Sequence, residues 1–237
     1  MPSIIRTLVK KPLNLVGLDL VRYNPHYSIG QYAFLKTLNI KTIIDVGAHA
    51  GEFAEMIGGM LPRTSVISFE PLKDEFERLQ QRLTAANFSA FNFALGDRNE
   101  TVKMRRSEFS QSSSLLPMAK LHKEAFPETA GETIEEVEVR RMDDVLGGME
   151  LQPAILVKID VQGYEDRVIA GGDAVISKSK AMIIEVSFQE LYEGQPLFDD
   201  IYQLLKQKGF TYVGNLYQLL NPADAAVLQA DALFVRQ

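Results

Sequence analysis

Short apolar runs alternate with longer amphipathic stretches along most of this chain. The runs at 42–46, 65–70, 89–95, 153–160 and 181–187 are too short for helices. They read as strands, and the nearly all-apolar run 153–160 reads as one buried on both faces, as parallel strands are. Between them, apolar positions recur at helical spacing. A helix is expected from about 51 to 60, ended by Gly58, Gly59 and Pro62. Another spans 74–86, with Phe76, Leu79 and Leu83 on its inner face. Further helices follow Asp160, stopping at Gly171 and Gly172, and occupy 197–208, stopping at Gly209. Strand and helix therefore alternate as β-α-β-α-β over 42–95, the first half of a doubly wound sheet. The late runs 210–213 and 232–235 have no helical pattern between them, and read as an antiparallel pair at one edge.

Two stretches depart from this alternation. Residues 1–29 carry Pro12, Asn24 and Pro25, and so read as short helical pieces and loops. Ser28 is a helix cap candidate, followed by an apolar face of Tyr32, Phe34, Leu35 and Leu38. This gives an N-terminal helical arm, 1–40, ahead of the main domain at 41–237. Arg6, Lys10, Lys11 and Arg22 make the arm basic, either as a solvated face or as a surface for an anionic substrate or a membrane. The second departure is an insertion at about 98–141. Its ends, 101–104 and 137–140, look like paired strands around a serine tract, Ser112 to Ser114, and a polar segment holding His122. An excursion at the ligand edge of a sheet is either a lid or a disordered loop.

The turn after the first strand carries the first chemical signal. Asp45 sits late in that strand, and Gly47, Ala48, His49, Ala50 and Gly51 follow before helix-forming Glu52. In such a unit, loop amides and the helix N-terminus face a ligand at the strand's carboxyl end. The dinucleotide fingerprint places its second glycine two residues after the first, where His49 stands here. A pyrophosphate would be poorly cradled, which makes a nicotinamide oxidoreductase the least favoured reading. S-adenosylmethionine (SAM) fits better, since it brings no phosphate and does bring an ammonium for Asp45. A tight turn with no ligand is the plain alternative. Glu70, followed by Pro71, closes the second strand, close to the roughly 20-residue separation at which an acid meets ribose hydroxyls. Small residues around Ala94 and Leu95, ending the third strand, leave room for a flat base.

Composition narrows the classes. The chain has 237 residues, ordinary hydrophobic content of 46% and a net charge of -6. That length suits one full core, and that charge argues against a nucleic-acid partner held by phosphate contacts. With no cysteine, disulfides and thiolate chemistry are excluded, which fits a cytoplasmic protein. No apolar run approaches the ~18 residues of a membrane span, so no integral segment is expected. The sequence leaves the oligomeric state open, a homodimer included.

Taken in order, Asp45 to Gly51, Phe69-Glu70-Pro71, Asn92 to Gly96, Ser112 to Ser114, Val157 to Glu165 and Ala230 to Val235 resemble the FkbM-type SAM-dependent methyltransferases. The resemblance covers roughly residues 40–236. It implies a Rossmann-like methyltransferase sheet, mostly parallel with an antiparallel last strand, and SAM as methyl donor. The implied reaction is O-methylation of a hydroxyl on a sugar, glycan or natural product. Carried over, Asp45, Gly47, Ala48, His49 and Gly51 form the methionine-side loop. Glu70 and Pro71 lie at the ribose, and Ala94 and Leu95 near adenine. Two positions depart from the family's usual pattern: His49 stands where Asn is common, and Gln162 where Glu is common.

Asp160, Glu185 and His49 are the catalytic candidates, with His122 next. Lys158 and Asp160 share a strand face, and Glu185 is expected to pair with Lys158 below the site, because a lone buried charge is costly. Asp160 would then hold the SAM ammonium or take the acceptor proton. Asp160 and Glu185 offer no evident third ligand for a metal, so none is expected. Two other functions stay in view. An N-methyltransferase would favour an Asn/Asp-Pro-Pro-Tyr-type tetrapeptide where Asp160-Val161-Gln162-Gly163 stands. A SAM-sensing module would bind without turnover.

Overall fold

The structure is a computed structural model, and it describes residues 32–85 and 87–236. The basic arm and the Ser28 cap lie outside the described residues. Elements run from a 3-10 helix, Ala33–Leu38, into strand β1, Thr42–Val46. Helix α1, Glu52–Met60, β2, Ser65–Phe69, α2, Lys73–Arg82, and β3, Phe88–Phe91, follow. Then come β4, Ala94–Leu95, and β5, Glu100–Ser107. A short helix, α3, Lys120–Ala125, precedes β6, Glu132–Arg140, and α4, Met142–Leu146. The second half holds β7, Ile155–Ile159, α5, Glu165–Gly171, α6, Asp173–Lys178, and β8, Ser179–Ser187. It ends with α7, Phe198–Gln207, β9, Phe210–Leu220, and β10, Val227–Arg236.

Seven strands form one sheet in the order β3-β2-β1-β7-β8-β10-β9. Strand β10 runs antiparallel to both neighbours, and β1, β2, β3, β7 and β8 are parallel. The expected doubly wound sheet with an antiparallel last strand is therefore present. The edge pair is longer than its apolar runs suggested, because β9 extends through the polar residues Asn215 and Gln218 at the sheet's edge. The third strand divides. Residues 88–91 pair with β2, whereas 94–95 leave for a second sheet ordered β4-β6-β5. Strands β5 and β6 pair antiparallel from Glu100↔Val139 to Ser107↔Glu132, as the insertion's two ends suggested.

Alternation along the central strands positions the site. Ile44 and Val46, Ile67 and Phe69, Val157 and Ile159, Ile184 and Val186, and Ala230 and Ala232 join one core cluster with α4 to α7. Successive side chains point to opposite faces. Asp45, Ser68, Lys158, Glu185 and Asp231, each lying between two of those core residues, therefore share the other face. All five lie near the carboxyl ends of the parallel strands.

Candidate active site

The glycine turn is built to bring backbones together. Gly47 has φ 78° and Gly51 φ 88°, in the region that favours glycine. A Cβ on Gly47 would lie 1.8 Å from the Asp160 carbonyl oxygen, so no larger residue fits there. Gly47 and Ala48 each donate an amide hydrogen bond to the Phe69 carbonyl, at 3.0 Å, tying the turn to the end of β2. Glu70 then reaches back. Its carboxylate accepts the His49 amide at 2.8 Å and the Leu72 amide at 2.8 Å. Burial pushes the Glu70 carboxyl up to about 7 despite those two amides, with Glu75 and Asp45 adding to the rise. Asn92 closes this end by donating to the Glu70 and Pro71 carbonyls, at 2.9 Å each. Ala94 and Leu95 lie in β4, and the Leu95 side chain packs in the main core. The residue beside Glu70 from this segment is thus Asn92.

His49 adopts φ 48° and links three segments. Its Nε2 lies 2.8 Å from Ser110 Oγ in the insertion and 3.4 Å from buried Glu75 Oε2. Its Nδ1 lies 3.4 Å from Glu52 Oε2.

A few residues away, the polar face of the sheet gathers acids around a lysine. Asp45 is wholly buried, and burial pushes it up to about 6 against the pull of Lys158. Ser68 donates to its Oδ2 at 3.4 Å, while its enclosed Oδ1 has no hydrogen-bond partner among the described residues. Lys158 donates to Asp160 Oδ2 at 3.0 Å, and its ammonium sits 5.4 Å from the Phe53 ring centre. Burial works against that ammonium, yet Asp160, Asp45 and Asp231 outweigh it and raise its pKa.

The expected Lys158–Glu185 pair is not formed. Register explains why: Lys158 lies level with Ile183, and Ile159 with Ile184, so Glu185 falls at the level of residue 160. Glu185 Oε2 instead accepts amide hydrogens from Gln162, at 2.7 Å, and Gln229, at 2.9 Å. Burial, with Asp160 and Glu165 nearby, pushes Glu185 well above the carboxylate range. Asp231 stands directly across the strand pair from Glu185 and is itself pushed up to about 6 by burial.

Gln162, at φ 55°, occupies the centre of this network. Its Nε2 donates to Asp160 Oδ1 at 2.9 Å as well as to Glu185. Its Oε1 lies 2.9 Å from the Tyr192 hydroxyl, which is also 3.0 Å from the Ser112 carbonyl. Beneath it, Glu165 accepts the Val161 and Gly163 amides, and burial pushes that carboxyl up to about 7. His122 is buried between the Tyr192 and Phe126 rings, apart from the acids. Gln229, Asp231 and Tyr192 were not singled out for this site from sequence. The alternation around Asp231 would have flagged it; Tyr192 sits in a loop with no periodicity to read. Among the described residues no group of three or more His, Asp or Glu side chains is arranged to hold a metal ion.

The strand order, the antiparallel β10, the glycine turn and the acid ending β2 together define a Rossmann-like methyltransferase. The family follows from comparison: the methyltransferase FkbM domain matches residues 45–212, and the chain belongs to that family of SAM-dependent methyltransferases. It is similar to the 2-O-methyltransferase NoeI of Sinorhizobium fredii, 30% identical over 161 residues, covering 65% of this chain and 66% of that protein. It also matches the AMB antimetabolite synthetase AmbE of Pseudomonas aeruginosa, 28% identical over 198 residues, or 71% of this chain and 9% of that one. The chain thus spans just under two thirds of the first relative and less than a tenth of the second. Among solved structures, an rRNA methylase from Streptococcus thermophilus aligns over 92% of this chain and 98% of its own, at 11% identity and a TM-score of 0.48.

Proposed function

We propose that this protein is an O-methyltransferase acting on a hydroxyl of a sugar, glycan or natural product. The observation that carries this reading is the glycine turn and Glu70 standing beside a face of acids that includes the partly exposed Asp160. The residues suit SAM in two respects. The orphaned Asp45 Oδ1 is an enclosed acceptor in want of a donor, as an ammonium provides. Gly47 leaves backbone, with no side chain, at the turn. In this reading Asp45, Gly47, Ala48, His49 and Gly51 hold the methionine end, and Glu70 accepts the ribose hydroxyls through its remaining lone pairs. Bound SAM supplies an electrophilic methyl on a sulfonium.

The chain's own residues then have two tasks. The first is to hold the acceptor oxygen in line, which supplies most of the catalysis in such transfers. The second is to take its proton. Asp160 is assigned that role, because its side chain is 30% exposed and can pass the proton to water. Glu185, held by two amides on the same face, orients the acceptor. The name of the NoeI relative specifies transfer to oxygen, which favours a hydroxyl over an amine.

The test is direct. Calorimetry should detect binding of SAM and its demethylated product but not NAD. Incubation with a panel of sugars, glycans and hydroxylated small molecules should then add one methyl group to an oxygen, read by mass spectrometry. Asp160→Asn should fold normally and lose most turnover at saturating SAM. Near-normal transfer by that variant would remove Asp160 from the role, and a methylated nitrogen would replace the O-methyl reading with the N-methyl one.

A further inference from the structure

The insertion reaches the Asp160 and Glu185 carboxyls through Tyr192 and Gln162. The Tyr192 hydroxyl faces both the Ser112 carbonyl and Gln162 Oε1, and the Gln162 amide spends its two hydrogens on Asp160 and Glu185. From the same serine tract, the Ser114 hydroxyl donates to the Gln162 carbonyl at 2.6 Å. A ladder bridge, Met118↔Tyr192, and the Ala119 amide on the Leu191 carbonyl bind the insertion to the tyrosine's own loop. We propose that Gln162 and Tyr192 are a positioning couple, through which the seated 110–116 segment fixes the direction of the Asp160 and Glu185 carboxyls. The proposal rests on the reading of Asp160 as the acceptor-side base.

The chemistry leaves little freedom in this arrangement. A primary amide has two donors on nitrogen and an acceptor on oxygen. With its nitrogen between two carboxylates, the Gln162 oxygen must point away from them, toward a donor. Tyr192 is that donor. Its ring is buried, packed edge-on against His122, so the hydroxyl oxygen stays fixed between the Gln162 oxygen and the Ser112 carbonyl, with one hydrogen to give to either. The backbone is held as firmly. At φ 55° Gln162 is in a conformation that side chains rarely adopt, and Ser114 bonds its carbonyl there. Gly163, at φ 98°, follows, and a Cβ on it would come within 3.1 Å of Tyr192 Cβ. Glutamine in place of glutamate also matters. A carboxyl at 162 would set a third acid between Asp160 and Glu185, with no pair of amide hydrogens to offer them, whereas the neutral amide bridges the two.

Among the described residues, the Gln162 and Tyr192 side chains hydrogen-bond to Asp160, Glu185 and Ser112 and not to the glycine turn, so the couple should act on transfer and not on SAM affinity. Tyr192→Phe keeps the ring and removes the hydroxyl. The expected result is a kcat roughly 10-fold lower or more, with SAM Kd within about twofold of the parent. In nitrogen-15 spectra of the SAM-bound protein, the Gln162 side-chain amide protons should exchange with solvent at least about 10-fold faster in Tyr192→Phe. Ser114→Ala, which removes the buried hydroxyl that bonds the Gln162 carbonyl, should move both readouts in the same direction, with thermal denaturation confirming that the variant is folded. The amide readout needs no acceptor. Unchanged Gln162 exchange in a folded Tyr192→Phe protein overturns the couple. Faster exchange with unchanged kcat also overturns it, because the acids would then be set without it. If Asp160→Asn retains full transfer, the assignment of the base has failed, and the exchange data still decide whether the couple holds the amide.

Discussion

At the glycine turn, side chains act on backbone: Glu70 takes the His49 and Leu72 amides, and Asn92 serves two carbonyls. At the β7–β8–β10 end, side chains act on side chains: Lys158 meets Asp160, and Gln162 and Gln229 meet Glu185. Three strands distant in sequence supply that second network. A turn held by its own neighbours has little choice of geometry. A set of buried acids does, since each can be charged, neutral or re-paired. In the proposed reading the first region holds SAM and the second meets the acceptor.

Four changes would break or sharpen this contrast. Gly47→Ala should have the largest effect. Its Cβ would collide with the Asp160 carbonyl and force a left-handed residue, so both regions should fail together. We expect a melting temperature lower by an amount reflecting at least ~3 kcal/mol, with SAM binding lost, measured by thermal denaturation and calorimetry. Lys158→Met comes next. It leaves Asp160, Asp45 and Asp231 facing one another with no cation, and breaking such a buried pair costs about 3–5 kcal/mol. Denaturant melts should show a larger loss at pH 8 than at pH 5, where protonation relieves the repulsion. An equal loss at both would mean that Lys158 acts by packing alone.

Glu70→Ala confines the damage to the turn. Two amides lose their acceptor, at about 1–3 kcal/mol of stability, and SAM affinity should fall about 10- to 100-fold. Unchanged affinity in the folded variant would remove Glu70 from the cofactor assignment.

The mildest perturbation is pH itself. Burial raises Glu70 and Glu165 to about 7, and Asp45 and Asp231 to about 6, from ordinary values of 4.5 and 3.8. Over that window the folded chain binds more protons than the unfolded one, so the ligand-free protein loses stability as pH rises from about 4 to 7. The proposed ribose contact runs the other way. It needs ionised Glu70, so SAM affinity should climb by up to ~10-fold per pH unit and level off above about 7. Opposite slopes in melting temperature and in Kd are the expected pattern. Parallel slopes would dissociate Glu70 from SAM.

Much of this was legible along the chain, because it depends on near neighbours. The glycine turn, Glu70 and the alternation of core and polar residues around Asp45, Lys158 and Glu185 are local patterns. Periodicity, turn chemistry and spacing express such patterns directly. The sequence by itself therefore determined the layered sheet, the glycine turn at its carboxyl edge and most of the polar residues on its open face. Tertiary structure decided which of those residues touch. A parallel neighbour's register set Glu185 level with residue 160 and away from Lys158, and β10 brought Gln229 and Asp231 from the end of the chain. In the sequence Gln162 reads as a missing charge; in the fold Tyr192 stands behind it, beside a serine tract some eighty residues earlier. Such contacts depend on how strands and an inserted segment stack in space. A one-residue shift in register would exchange every partner without altering any local pattern.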